Sequence, residues 1–322
     1  MVSLDFELYW GLRDKQPLEA CNASLLGARQ AIPRVLELFT RYDVHATWAT
    51  VGFLFCAGRE ELHAAVPAQW PDYSDDRLSP YRMLHNLGSS EEEDPYHFAP
   101  SLISKITSTP GQELGCHTLS HYYCLEPGQN REAFAADIAA SQRLAKDRGV
   151  ALRSLVLPRN QIEPGYLDLL PGLGIIAYRG TAAGWMYKAA SCPGDTLLAR
   201  GARLLDAYTN ISGYQGLFRE ALPRNAPVNI PASMFLRPYS PRLAWLDGLR
   251  LRRITKSMTH AAHHGLAYHL WWHPHNMGLH VEESLAFIES ILEHYALLRE
   301  QHGMASVGMA ELADSVLKNS RT

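Results

Sequence analysis

Val2-Ser3-Leu4-Asp5-Phe6-Glu7-Leu8 opens the chain with apolar residues at the even positions and polar ones at the odd positions. A period of two belongs to a β-strand, whose successive side chains point to opposite faces, so Asp5 and Glu7 leave the strand on the same side. Ile32, Val35, Leu36 and Phe39 recur with helical spacing, and Pro33 suits a first helical turn, which predicts a helix running to about Tyr42. A second strand follows over Val44 to Phe53. Strand, helix and strand in this succession are the rhythm of a parallel sheet or barrel.

Residues 59–112 break that rhythm with Asp, Ser and Pro clusters and the run Glu91-Glu92-Glu93-Asp94, which is expected to be a solvated face. They read as an excursion with one short helix near Leu102. Alternation then resumes: a short strand end at Glu113 to Cys116, a helix from about Arg131 to Arg148, and strands at Ser154 to Leu157 and Gly174 to Tyr178. From Asp195 to Pro241, Gly, Pro and Asn point to loops and irregular strands, Val228-Asn229-Ile230 among them. A helix at Leu249 to His264, a strand at Ala267 to Trp272, a helix at Val281 to Gln301 and a last helix from Ala310 complete the reading. There is no internal repeat, and residues 1–322 read as one α/β domain.

Composition narrows the function classes. With 30 basic against 33 acidic residues the formal net charge is -3, and no Lys/Arg stripe suggests a nucleic-acid partner. The longest apolar stretches, such as Ala46 to Ala57, fall short of the roughly 20 residues of a membrane helix, and Asp5 and Glu7 interrupt any signal-peptide core. The expectation is a soluble, cytoplasmic protein. Cys21, Cys56, Cys116, Cys124 and Cys192 are an odd set without C-x-x-C spacing, which suits reduced thiols better than a disulfide frame or a zinc knuckle.

The chemistry-bearing residues converge on one type of site. His117-Thr118-Leu119-Ser120-His121 places two imidazoles four residues apart, able to face one point if the segment turns helically, just after a strand end where barrel enzymes place their sites. A catalytic metal of this kind takes three protein ligands and keeps a position for water, so the pair calls for a carboxylate, and Asp5 and Glu7 are both candidates. Two carboxylates close together on an apolar strand are costly unless a cation compensates them.

Four segments, Ser3-Leu4-Asp5-Phe6-Glu7, His117-Thr118-Leu119-Ser120-His121, Pro158-Arg159-Asn160 and Trp272-His273-Pro274, appear in the order of the motifs of the polysaccharide deacetylase (NodB-like) family, which the chain resembles over most of its length. The resemblance implies a deformed (β/α) barrel with one divalent ion, zinc foremost. It makes Asp5 the general base, Glu7, His117 and His121 the metal ligands, His273 the general acid, and Arg159 the residue that orients Asp5. Trp10, Asn160, Trp272 and His275 are candidate substrate contacts, His275 being also a rival for the acid role that the family position gives to His273, and Trp10, Trp272, Tyr178, Trp185 and Trp271 are aromatics able to stack on sugars. The sequence departs from the common form in two places: Phe6 separates the two carboxylates, which leaves base and ligand exchangeable, and the third motif reads Pro-Arg-Asn. The D-x-E spacing resembles the branch that includes allantoinase-like enzymes, some of which use no metal. His260, His263 and His264, near a predicted helix end, read as structural.

The function so implied is removal of an acyl group, N-acetyl foremost, from a sugar in surface polysaccharide (O-antigen or capsule) biosynthesis, on a nucleotide-linked or lipid-linked precursor or an oligosaccharide. The alternatives are another C–N amide hydrolase, metal-free included, and a glycan-binding relative without turnover.

Overall fold

The computed structural model describes residues 1–187 and 196–318, so Cys192 and Asp195 lie outside the described residues. Eight strands pair in parallel: β1 (Val2–Phe6), β2 (Ala46–Thr50), β3 (Gln112–Cys116), β4 (Ser154–Leu155), β5 (Ala177–Gly180), β6 (Val228–Pro231), β7 (Met234–Phe235) and β8 (Leu270–Trp272). Their order is β6-β5-β4-β3-β2-β1-β8-β7. The two ends of that order, β6 and β7, are separated in the chain only by Ala232 and Ser233. The sheet must therefore roll up until its ends meet. The Ala232 N–H reaches back to Gly180 on β5, and the Ser233 N–H reaches forward to His269 beside β8. This is the deformed (β/α) barrel expected from the sequence.

Among the described residues eight α-helices surround or close it: α1 (Leu18–Tyr42), α2 (Arg59–Ala65), α3 (Pro100–Ser108), α4 (Arg131–Asp147), α5 (Leu197–Asp206), α6 (Asp247–His263), α7 (Val281–His302) and α8 (Met309–Lys318). Strand parity separates two layers. Leu4, Phe6, Trp48, Leu155, Leu270 and Trp272 belong to the large core beneath the helices. The opposite parity, with Ser3, Asp5, Thr47, Ala49, Glu113, Ser154, Val156, Ala177 and Arg179, fills the barrel. At its lower end α8 acts as a stopper: the Met309 N–H donates to Thr47 Oγ1 at 2.8 Å and the Ala310 N–H to Glu113 Oε2 at 3.0 Å. Burial raises the Glu113 carboxyl above its ordinary pKa, opposed by hydrogen bonds from Ser154, Ala310 and Thr47. A helix N-terminus is a favourable partner for its charged form.

Four expectations are corrected. Pro33 lies inside α1, which starts fifteen residues before it, at Leu18. Proline removes one helical hydrogen bond, whereas the upstream turns bury Cys21, Leu25, Ala28 and Ala31 on the same stripe, and burial prevails. The excursion holds α2 as well as α3, and its acidic run is not simply solvated. Glu91 pairs with Arg29, and Asp94 is buried against His97. The segment read as loops contains the helix α5. Among the described residues no helix is long and apolar enough to cross a membrane.

Candidate active site

The inward parity of β1 delivers Asp5 and, one residue past the strand, Glu7 into the upper mouth of the barrel, both 3% exposed. Glu7 is the hub. Its Oε2 lies 2.7 Å from His121 Nε2 and 3.3 Å from His117 Nε2, and its Oε1 lies 3.3 Å from His273 Nε2. Glu7, His117 and His121 each place one donor atom within 4.8 Å of the others, as do Glu7, His273 and His275. Gly11, in the turn after β1, makes room for the carboxylate: a Cβ there would stand 2.1 Å from Glu7 Cδ.

The two histidines of the 117–121 segment meet without the expected helical turn. Thr118 and His121 both adopt left-handed backbone, φ 63° and 61°, and the rings come to 5.2 Å between centroids. Asp137 of α4 enforces this loop by accepting from the Leu119 N–H and the Ser120 hydroxyl, each at 2.5 Å. Thr118 Oγ1 accepts from the Tyr122 N–H. Burial pushes the Asp137 carboxyl up to about 6, against the pull of those hydrogen bonds. Five of the six described non-glycine residues with positive φ, namely Leu8, Thr118, His121, Arg159 and Asn160, gather around this mouth. Such backbone persists only where the surroundings over-determine it, and it concentrates at functional sites.

Asp5 is held by Arg179, not by Arg159. Arg179, fully enclosed on β5, donates from Nη1 and Nη2 to the two carboxylate oxygens at 2.6 and 2.7 Å, and from Nη2 to Asn160 Oδ1 at 3.0 Å. Its guanidinium lies 4.1 Å from the centre of the Trp271 ring and also donates to Ser3 Oγ, which His269 Nε2 meets at 2.8 Å. Arg159, in its left-handed turn, pairs instead with Asp14 and lies across the Tyr123 ring. The sequence reading ended the fifth strand at Tyr178, one residue short of Arg179. Inward parity with Ala177 was the signal available.

Aromatic placement brings two more corrections. Trp10 is fully buried and donates its Nε1–H to the His97 carbonyl, and Trp272 is 2% exposed in the outer layer against Phe39. Both are core. Strand alternation from His273 puts Trp271 inward and Trp272 outward, so Trp271 is the half-buried ring at the site. Tyr178 is likewise buried, in the outer layer, whereas Trp185 is exposed. His275 is 8% exposed, its ring 5.0 Å from that of His273.

Charge states follow from enclosure. Burial pushes the Glu7 carboxyl up, but the surrounding histidines, His273 and His121 foremost, bring it well below its ordinary value. Burial likewise raises Asp5, and Arg179 more than offsets it, so Asp5 also stays ionised. Burial lowers His121 to about 4 and His275 to about 3, and it lowers His273 against the pull of Glu7 and Asp5. One ionised carboxylate facing neutral imidazoles is the donor chemistry of a catalytic zinc site, so the residues fit a divalent cation. Asp137, Arg179, Asp14 and Gly11 are parts of this site that motif spacing did not reveal.

No protein-family model and no curated protein matches the sequence. Solved structures do match. A protein from Mycobacterium smegmatis assigned as a polysaccharide deacetylase superposes with TM-score 0.59 at 12% identity, over 99% of this chain and 91% of its own. One from Pseudomonas aeruginosa PAO1, assigned likewise, gives 0.50 at 13%, over 98% and 82%. A 4-alpha-glucanotransferase from Thermococcus litoralis gives 0.51 at 10%, over 97% of this chain but 39% of its own. The fold implied by the four motifs is therefore the fold found, and this chain is similar in architecture to structures assigned as polysaccharide deacetylases.

Proposed function

We propose that the chain is a hydrolase that removes an acyl group, N-acetyl foremost, from an amino sugar, with one divalent cation, zinc by preference, held by Glu7, His117 and His121. The observation that carries this reading is the convergence of three donors on one enclosed point, an ionised Glu7 and two imidazole Nε2 atoms at 2.7 and 3.3 Å from it. Fold likeness supports it only in outline, since the same architecture serves a glucanotransferase. When bound, the cation would lower the pKa of water from about 16 towards ~7 and polarise the acyl oxygen. Asp5, aligned by Arg179 and through it by Asn160, takes the proton released as water attacks. His273 Nε2, 3.8 Å from Asp5 Oδ2, stands ready to receive that proton and hand it to the departing amine. Trp271 and Arg159, both half-buried, offer a ring face and a charge to a sugar at the rim. The substrates we place first are N-acetylated nucleotide-linked or lipid-linked precursors of a surface polysaccharide, and short oligosaccharides.

The 2.7 Å contact between His121 and Glu7 also suits an Nε2–H hydrogen bond, which favours metal-free amide hydrolysis as the second reading. Elemental analysis of the purified protein, with acetate release from N-acetylhexosamine oligomers and nucleotide sugars, separates the two. About one equivalent of metal, with activity lost on chelation and in Asp5→Asn, is the expected result. Acyl release that survives full removal of metal would establish the second reading, and neither metal nor acyl release would overturn both.

A further inference from the structure

We propose that the same pocket takes up a second divalent cation, on Glu7, His273 and His275, and that its binding switches the proton donor off. The inference rests on the reading of His273 as donor and adds regulation by metal excess. Its basis is a second three-donor set within 4.8 Å that shares only Glu7 with the first. The two sets use different oxygens: Oε2 faces His117 and His121, whereas Oε1 lies 3.3 Å from His273 Nε2. His275 supplies the third donor from a buried position, and its Nδ1 has no hydrogen-bond partner among the described residues. Pro274 between the two histidines fixes the backbone that brings their rings to 5.0 Å. A carboxylate with one cation on each oxygen is the usual bridge of paired metal sites, where the ions sit roughly 3.5–4 Å apart.

Charge makes the second site the weaker one. Asp5 is already neutralised by Arg179, so Glu7 alone would serve both ions, and they repel one another. Binding is therefore sequential. The first cation supports the reaction, and the second occupies the His273 lone pair that would otherwise accept and pass on a proton. A nitrogen committed to a cation cannot do both.

The test uses the full chain, stripped with chelator and titrated with Zn²⁺ while bound metal and acyl release are followed together. Two equivalents are expected, the second weaker, with activity peaking near one and falling as the second binds. His275→Ala and His275→Gln, checked for folding by circular dichroism, should bind one equivalent, with no fall in whatever activity they retain. A wild type saturating at one equivalent, or a second equivalent that persists in both variants, overturns this inference and leaves the proposed hydrolase intact. A protein that binds no Zn²⁺ at all overturns the cation of both.

Discussion

At the scale of the residue, the pairing of Asp5 with Arg179 makes a sharp division between two arginines. Arg179→Met would leave Asp5 as an uncompensated buried charge, a loss of about 3–5 kcal/mol in stability. Misalignment of the base should lower the rate of acyl release by roughly 10²-fold. Arg159→Met leaves that pair untouched; it strips the buried Asp14 side chain of a partner and so also costs stability, but it should act on KM rather than on kcat. Steady-state kinetics of both variants check this, and an equal fall in kcat in the two would refute it. Gly11→Ala pushes a methyl group into the Glu7 carboxylate and should weaken metal binding by about 10–100-fold, read by competition with a chelating dye. Unchanged affinity would remove Glu7 from the ligand set. Asp5, Glu7, His117 and His121 could be singled out from residue type and spacing, and His273 from the resemblance of its motif; the structure brings the five together. Arg179, Asp137 and Gly11 could not be singled out, because each acts through a contact with a residue distant in sequence.

Elements decide whether those side chains meet. Helix α1 rests on the loop that follows β8 through two glycines: a Cβ on Gly278 would stand 1.8 Å from the Ser24 carbonyl oxygen, and one on Gly27 1.9 Å from that of Gly278. Backbone cannot yield as a flexible side chain does. Gly278→Ala should therefore displace the loop carrying His273 and His275, lowering kcat several-fold while the cation on Glu7, His117 and His121 stays bound. Kinetics with metal analysis on the same sample test this, and simultaneous loss of both would mean a general collapse instead. Element type was readable from periodicity in β1, α4 and α7, where one face is buried along the whole length. It was misread at Pro33, where burial outweighed a local breaker; the 117–121 segment is the expected loop after a strand end, but the hold of Asp137 on its left-handed turn is something that spacing cannot encode. The helix α5 was missed because the Gly, Pro and Asn of the surrounding segment were read as breakers over a stretch whose leucines do recur at helical spacing.

For the whole molecule the buried imidazoles set the response to acid. In the metal-free protein His121 and His275 are held near 4 and 3, and His269 well below its ordinary value, whereas the unfolded chain protonates them near 6.5. The unfolded state therefore binds more protons as pH falls from about 6.5 to 4, and stability declines across that window. At about 1.4 kcal/mol per unit, each of the first two contributes roughly 3 kcal/mol or more. Asp137, raised to about 6, and Glu113, also raised, work in the opposite direction, but these two carboxyls do not offset three imidazoles joined by the lowered carboxyls of Asp5 and Glu7. Urea denaturation in the presence of chelator from pH 7 to 4.5 should show the loss, and a flat profile would contradict it. The stopper at the lower end of the barrel bears on the order of events during synthesis. Asp5 and Glu7 are synthesised before His117, His121 and His273, yet β1 waits for β8 to complete its pairing, and Thr47 and Glu113 wait for Met309 and Ala310. A nascent chain halted before residue 309 would hold every proposed ligand and still lack the plug that closes the lower end of the barrel, so the barrel carrying the pocket should mature only once α8 has docked.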